Sequence, residues 1–249
     1  MVLTRMLHAR LPKNRSSWAV MLFLGIFQIS LPYGLVFWAE QYVSSGLAAV
    51  LFATMPFFVV IFAHILVDEK LTRLKVVGVI ASFIGLVLIF WRDLAVPQGL
   101  SGNLQFYGSL AVVGSAVSGA LANVVGKQHA EEIDPAANVL VQSLTGTVAL
   151  GALGLATEGH ADLSFTPTSI LAILYLSIVG SALAFVGMYW LLKKTTATNV
   201  SLITFITPIL ALVLGWAVLQ EVPDPNVGLG AMLILAGIYL TMKPANRYL

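Results

Sequence analysis

Residues 38–85, WAEQYVSSGLAAVLFATMPFFVVIFAHILVDEKLTRLKVVGVIASFIG, decide the fold, because a sparse copy of them returns 152 residues later. In this stretch Pro56 precedes Glu69 by 13 residues, and Gly78 and Gly85 follow. In residues 190–237 the same spacings carry Trp190, Pro208, Glu221, Gly230 and Gly237. Aligning 34–89 with 186–241 gives six identities in 56 positions, little for so apolar a composition. Apart from Leu88/Leu240, the identities nevertheless fall on a tryptophan, a proline, a carboxylate and two glycines, the conformation-setting positions in otherwise interchangeable aliphatic text.

The composition names the solvent. With 59% hydrophobic residues, 10% charged residues and a mean hydropathy of +0.93 over 249 residues, too much apolar surface is present for a water-soluble domain. Apolar windows long enough to cross a bilayer as helices occur at 17–38, 44–67, 74–91, 105–126, 136–156, 168–191, 198–219 and 227–242. The expectation is an all-α polytopic membrane protein with eight transmembrane helices. Strand-length alternation is absent, which disfavours a β-barrel. Loops are short, so no soluble domain is inserted.

Charge gives the orientation. Counted by alternate sides, Arg5, Arg10, Lys13, Arg15, Lys70, Arg73, Lys75, Lys127, Lys193, Lys194, Lys243 and Arg247 share one face, and Arg92 alone takes the other. The positive-inside rule then puts both termini in the cytoplasm. The same rule accounts for basic Met1–Arg15 more simply than a presequence does. Asp134-Pro135, Thr166-Pro167 and Asp224-Pro225 each pair a capping side chain with proline at a helix start.

Pro56 belongs to the second span and Pro208 to the seventh, and this odd separation turns the second copy upside down. Inverted repeats are the architecture of many secondary transporters. The offset also leaves the fourth and fifth spans without partners, since their mates would lie before residue 1. The expected organisation is therefore a cytoplasmic segment 1–15, an incomplete first repeat of three helices at 16–91 and a five-helix second repeat at 105–242. Together these form one membrane domain of 3+5 design, an N-terminally shortened 5+5.

The pattern at Pro56/Glu69/Gly78/Gly85 and its echo at Pro208/Glu221/Gly230/Gly237 resemble the EamA-type branch of the drug/metabolite transporter superfamily. The resemblance covers Ser16 to about Lys243. It implies a cytoplasmic-membrane carrier of small organic metabolites such as amino acids, often an exporter, with a central cavity between repeats. The departure is eight helices instead of ten. The alternative is a truncated or partner-dependent membrane protein without independent transport.

Candidate pathway residues follow from the spans. Pro56 and Pro208 should kink their helices against the carbonyls of Phe52 and Thr204. Thr54, Thr204 and Thr207 flank those kinks and could either satisfy freed backbone or face substrate. Trp38 and Trp190 close equivalent spans beside Phe37 and Tyr189, as an interfacial belt or, with Tyr33, as a vestibule wall. Ser115, Gly119 and Asn123 share one face of the fourth span beside the small stripe Gly114, Ser118 and Ala122. Asn138, Gln142 and Thr145 line the fifth, with Asn138 close enough to its start to be solvated. Ser181 lies in the sixth. Glu69 and Glu221 are expected to meet the dipole of the next helix, and His64 to be solvated or paired with Asp68. Enzyme signatures, metal-ligand spacings, cofactor motifs and nucleic-acid features are missing. The expected partners are the lipid bilayer, a small-molecule substrate, and a second copy or another protein supplying the missing helices.

Overall fold

The protein was analysed as a computed structural model that describes residues 11–91, 102–157, 166–219 and 225–243. All regular structure among the described residues is helical. Helix α1 spans Arg15–Ala39 and α2 spans Ser45–Leu66. They are followed by α3 at Arg73–Ile89, α4 at Gly102–Gln128, α5 at Pro135–Thr157 and α6 at Pro167–Lys194. Helix α7 comes in two pieces, Ala197–Ser201 and Ile203–Leu219, and α8 spans Pro225–Met242. Five of these, α1, α2, α4 (from Leu104), α5 and α6, are long and apolar enough to cross a membrane. The 17-residue α3 and 18-residue α8 stand at the short end of that range.

Polar caps start the helices where water-like partners end. The Asn14 side chain accepts from Ser17 N–H at 3.1 Å, Ser44 from Leu47 N–H at 3.3 Å and Thr72 from Lys75 N–H at 3.3 Å. Asp134 Oδ1 accepts from the N–H groups of Ala136 and Ala137, and Thr166 and Ser169 form a capping box. Pro135 and Pro167 occupy the first helical positions, as their spacing predicted.

Two π-helical segments interrupt the long helices, Gly25–Ser30 in α1 and Leu176–Leu183 in α6. In α1 the cause is visible in the sequence. Pro32 has no N–H and its ring crowds the carbonyl of Gln28, so the chain widens and Leu31 N–H reaches back to Ile26. In α6 no proline lies in or just after the widened turn; Gly180 and Ser181 stand inside it. Shifted by 152 residues, Gly25–Ser30 falls within Leu176–Leu183.

The expected kink at Pro56 is corrected. Helix α2 breaks at Ala53–Thr54, and Pro56 sits in the first turn of the new piece, Met55–Leu66. There its missing N–H is one that no intrahelical bond requires, and the carbonyl of Phe52 escapes the clash. Thr54 Oγ1 donates to Leu51 O at 2.6 Å, satisfying backbone that the break freed. Pro208 does lie inside a helix, but α7 is interrupted six residues earlier, at Leu202.

The most extensive helix contact joins α3 to α8. Gly78 packs against Gly237 and Gly85 against Gly230, while Ser82 Oγ donates to Ile234 O at 3.1 Å between them. The falling partner numbers make the pair antiparallel. A Cβ on any of these four glycines would meet backbone closer than 3.0 Å, so only glycine permits the approach. Around this seam Val79, Leu86, Phe205, Leu202 and Ile234 form one core. A second core gathers Leu24, Val59, Ala116, Val124, Val139, Leu192 and Val200 from α1, α2, α4, α5, α6 and α7. By contrast, residues 170–180 of α6 are exposed without exception, and this half makes no substantial contact with another described helix.

Candidate functional site

Four helices line a half-open cavity of about 320 Å³. Helix α1 contributes Gln28, Pro32, Tyr33, Val36 and Phe37; Phe52 comes from α2, Ser115 and Gly119 from α4, and Phe185 from α6. Local sequence explains each placement. The π segment and Pro32 set the turn that carries Gln28 and Tyr33. The break after Phe52 ends the first piece of α2 beside it. Small residues let α4 approach α1, where Ser118 Oγ donates to Phe27 O at 2.8 Å. Gly119 faces Met55 across this contact.

No lining residue is charged. Ser115 is fully buried, and neither its hydroxyl nor Gln28 Oε1 has a hydrogen-bond partner among the described residues. Tyr33 and Phe37 lie with ring centroids 5.8 Å apart. The site can therefore bind an apolar or aromatic body and a small number of polar groups, without supplying an ion pair.

The predicted pathway residues divide among several places. Tyr33, Phe37 and Ser115 do come together in the cavity. Trp38 lies in a neighbouring cleft of about 790 Å³ between α1 and α5, edge-on to Tyr42 at 5.2 Å. Trp190 lines a third, of about 380 Å³, beside Pro135 and Gly187. Ser181 is half-buried in the π segment of α6. Thr204 is half-buried, and Thr207 is exposed with its hydroxyl donating to Ile203 O at 3.0 Å.

Buried amides form a separate group. Asn123 and Gln142 are almost inaccessible, and so is Asn138, correcting the expectation that the last is solvated near the start of α5. The Tyr189 hydroxyl donates to Gln142 Oε1 at 3.2 Å, linking α6 to α5. Gln142 Nε2, Asn123 Oδ1 and Asn138 Oδ1 have no partner among the described residues.

Glu69 is corrected as well. It does meet a helix N-terminus, but that of α7 and not of the following α3, whose cap is Thr72. Its Oε1 accepts from Ala197 N–H at 2.6 Å, and its Oε2 accepts from Thr198 Oγ1 at 2.7 Å and pairs with Lys75 Nζ at 3.4 Å. His64 Nδ1 lies 3.1 Å from the carbonyl oxygen of Glu69, so its partner is that backbone and not Asp68. Asp68 itself takes the left-handed backbone, φ 53°, that turns the chain here. Glu221 lies outside the described residues.

Sequence reasoning missed Gln28, Phe52 and Phe185. Gln28 is an amide inside an apolar run, the signal that singled out Asn123. Nothing in the sequence distinguishes Phe52 or Phe185 from lipid-facing phenylalanines.

A polytopic helical bundle with an uncharged cavity between broken helices defines a membrane protein of the carrier type. The profile of the EamA-like transporter family matches residues 1–91 and 106–243, and the chain belongs to that family. It is 30% identical over 215 residues to YoaV, an uncharacterized transporter of Bacillus subtilis, covering 86% of this chain and 72% of that one. An uncharacterized transporter of Archaeoglobus fulgidus is 28% identical, with coverages of 93% and 78%. Protein PagO of Salmonella typhimurium is 25% identical, with coverages of 89% and 71%. A solved crystal structure superposes with a TM-score of 0.80 at 20% identity, over 98% of this chain and 83% of that one, a likeness of fold. The protein is a multi-pass membrane transporter, and membership of such a family speaks against an enzyme.

Proposed function

We propose that the chain carries small organic metabolites, amino acids or related compounds among them, across the inner membrane by alternating access between two inverted repeats, in the direction of export. Eight helices cross the bilayer, three from the first repeat and five from the second, with both termini in the cytoplasm. The observation that carries the inversion is the α3–α8 seam. Gly78 meets Gly237 while Gly85 meets Gly230, and Gly230 and Gly237 are the repeat mates of Gly78 and Gly85. Such reciprocity is what a two-fold axis requires of a contact. The axis would pass beside Ser82 and Ile234, also 152 residues apart. The matched π segments and the interruptions of α2 and α7 supply hinges in both repeats. The seam and hinges support 16–91 and 105–242 as the two units.

The bare half of α6 favours a second reading, in which transport requires further helices from a partner or a second copy. Its repeat mate in α1, Gly25–Ser30, packs on α5 and α4, so an equivalent cover would be two apolar helices. Both are tested by flux into and out of proteoliposomes containing this chain alone, using a panel of amino acids, amines, sugars and uncharged aromatic compounds. The carrier reading expects saturable flux of at least one compound, reduced by Pro56→Ala with Pro208→Ala in a protein that remains folded. Inertness toward the whole panel overturns independent transport and favours the partner.

A further inference from the structure

We infer that the cavity between α1, α2, α4 and α6 selects uncharged, flat aromatic molecules that carry at least one N–H or O–H donor. This substrate class rests on the carrier reading, and it narrows that reading's amino acids to their uncharged aromatic relatives. Three observations lead to it. The walls carry four aromatic rings, of Tyr33, Phe37, Phe52 and Phe185, contributed by three helices. Rings of a ligand can stack or meet them edge-on, which favours a planar body over a branched aliphatic one. The volume of about 320 Å³ is at the small end of ligand sites and suits one or two fused rings.

None of the lining residues carries a charge. A zwitterion or an organic ion entering here would give up hydration without a counter-charge, which is costly in a site surrounded by lipid. Finally, Ser115 Oγ and Gln28 Oε1 are buried acceptors with no partner among the described residues. The Ser115 hydroxyl can turn, and the Gln28 amide can rotate, to meet a group in the cavity. A buried acceptor left unmatched is destabilising, so a ligand that donates to it gains over one that cannot. An acyl chain would fill the same volume and match neither acceptor.

The class is tested by equilibrium binding of tritiated indole to the purified full chain in lipid nanodiscs, in competition with 1-methylindole. The two have nearly the same shape, but only indole has an N–H. Indole is expected to bind saturably and about tenfold more tightly, the difference one hydrogen bond makes. Gln28→Leu with Ser115→Ala should bring the two affinities together while preserving weak binding of both. Phe185→Ala, on the flank of α6, should weaken both equally. The comparison of compounds on the unmutated chain stands even where a variant does not fold. Equal affinity for the two indoles in that chain overturns the inference. So does tighter binding of zwitterionic L-tryptophan or of tetramethylammonium, and so does indole binding that ignores Phe185→Ala. Flux of some panel compound without indole binding would overturn the substrate class and leave the carrier standing; indole binding with no flux would do the reverse.

Discussion

Glu69 accepts a hydrogen bond from the backbone N–H of Ala197 at 2.6 Å, across 128 residues of chain. With Thr198 and Lys75 it ties the turn between α2 and α3 to the start of α7. On the proposed carrier reading, this contact closes the end of the molecule that the charge asymmetry predicts to be cytoplasmic. Glu69→Gln removes the ion pair and one acceptor, and should weaken the closure by about 1–3 kcal/mol. The chain contains no cysteine, so Val200→Cys gives a single reporter at a position 4% exposed beneath the latch. Its reaction with maleimide should accelerate about tenfold or more in the Glu69→Gln background. Unchanged labelling would show that Glu69 does not hold this seam.

The glycine seam makes a second prediction. At Gly78 or Gly237 an alanine methyl would meet backbone atoms of the facing helix, so the helices must separate. Each single alanine substitution should cost about 1–3 kcal/mol in unfolding. The double variant should cost less than the sum, because the first methyl has already opened the gap the second needs. Gly151→Ala and Gly187→Ala, where nothing lies within 4 Å of the new atom, should be tolerated. Thermal unfolding in detergent that ranks the four substitutions equally would contradict this packing.

Tyr189 and Gln142 test whether the buried amides hold the bundle together. Tyr189→Phe leaves both ends of the Gln142 amide unpaired in the core, at about 1–3 kcal/mol. Adding Gln142→Leu removes the orphaned groups and should recover most of that loss. A double variant no more stable than the single would mean that the pair contributes through something other than its hydrogen bond.

Much of this arrangement was legible in the sequence, and the gaps have physical causes. Periodicity, caps and prolines located the helices, since those signals are local. The four glycines stood out as conformation-setting repeat markers, but only three dimensions make them a close crossing that pairs Gly78 with Gly237 and not with its repeat mate Gly230. Pro56 suggested a kink in one continuous helix; a break two residues earlier serves the same end, because a proline's needs are met equally by a new N-terminus. Glu69 was expected to cap its neighbour in sequence, and its true partner lies 128 residues on, beyond any local rule. In the cavity Tyr33, Phe37 and Ser115 were foreseen, while Phe52 and Phe185 depend on helix rotation that composition does not encode.

The central claim is that two inverted halves open opposite ends in turn, and paired distances test it most directly. In the cysteine-free chain, spin labels at Val76→Cys and Lys193→Cys report on the end carrying Glu69. Labels at Gly228→Cys and Gln41→Cys, their mates at the 152-residue offset, report on the other. Adding Glu69→Gln should shift the Val76–Lys193 distribution to longer distances and the Gly228–Gln41 distribution to shorter ones. If the second distribution stays unchanged, or both lengthen together, the two ends are not coupled as an alternating carrier requires.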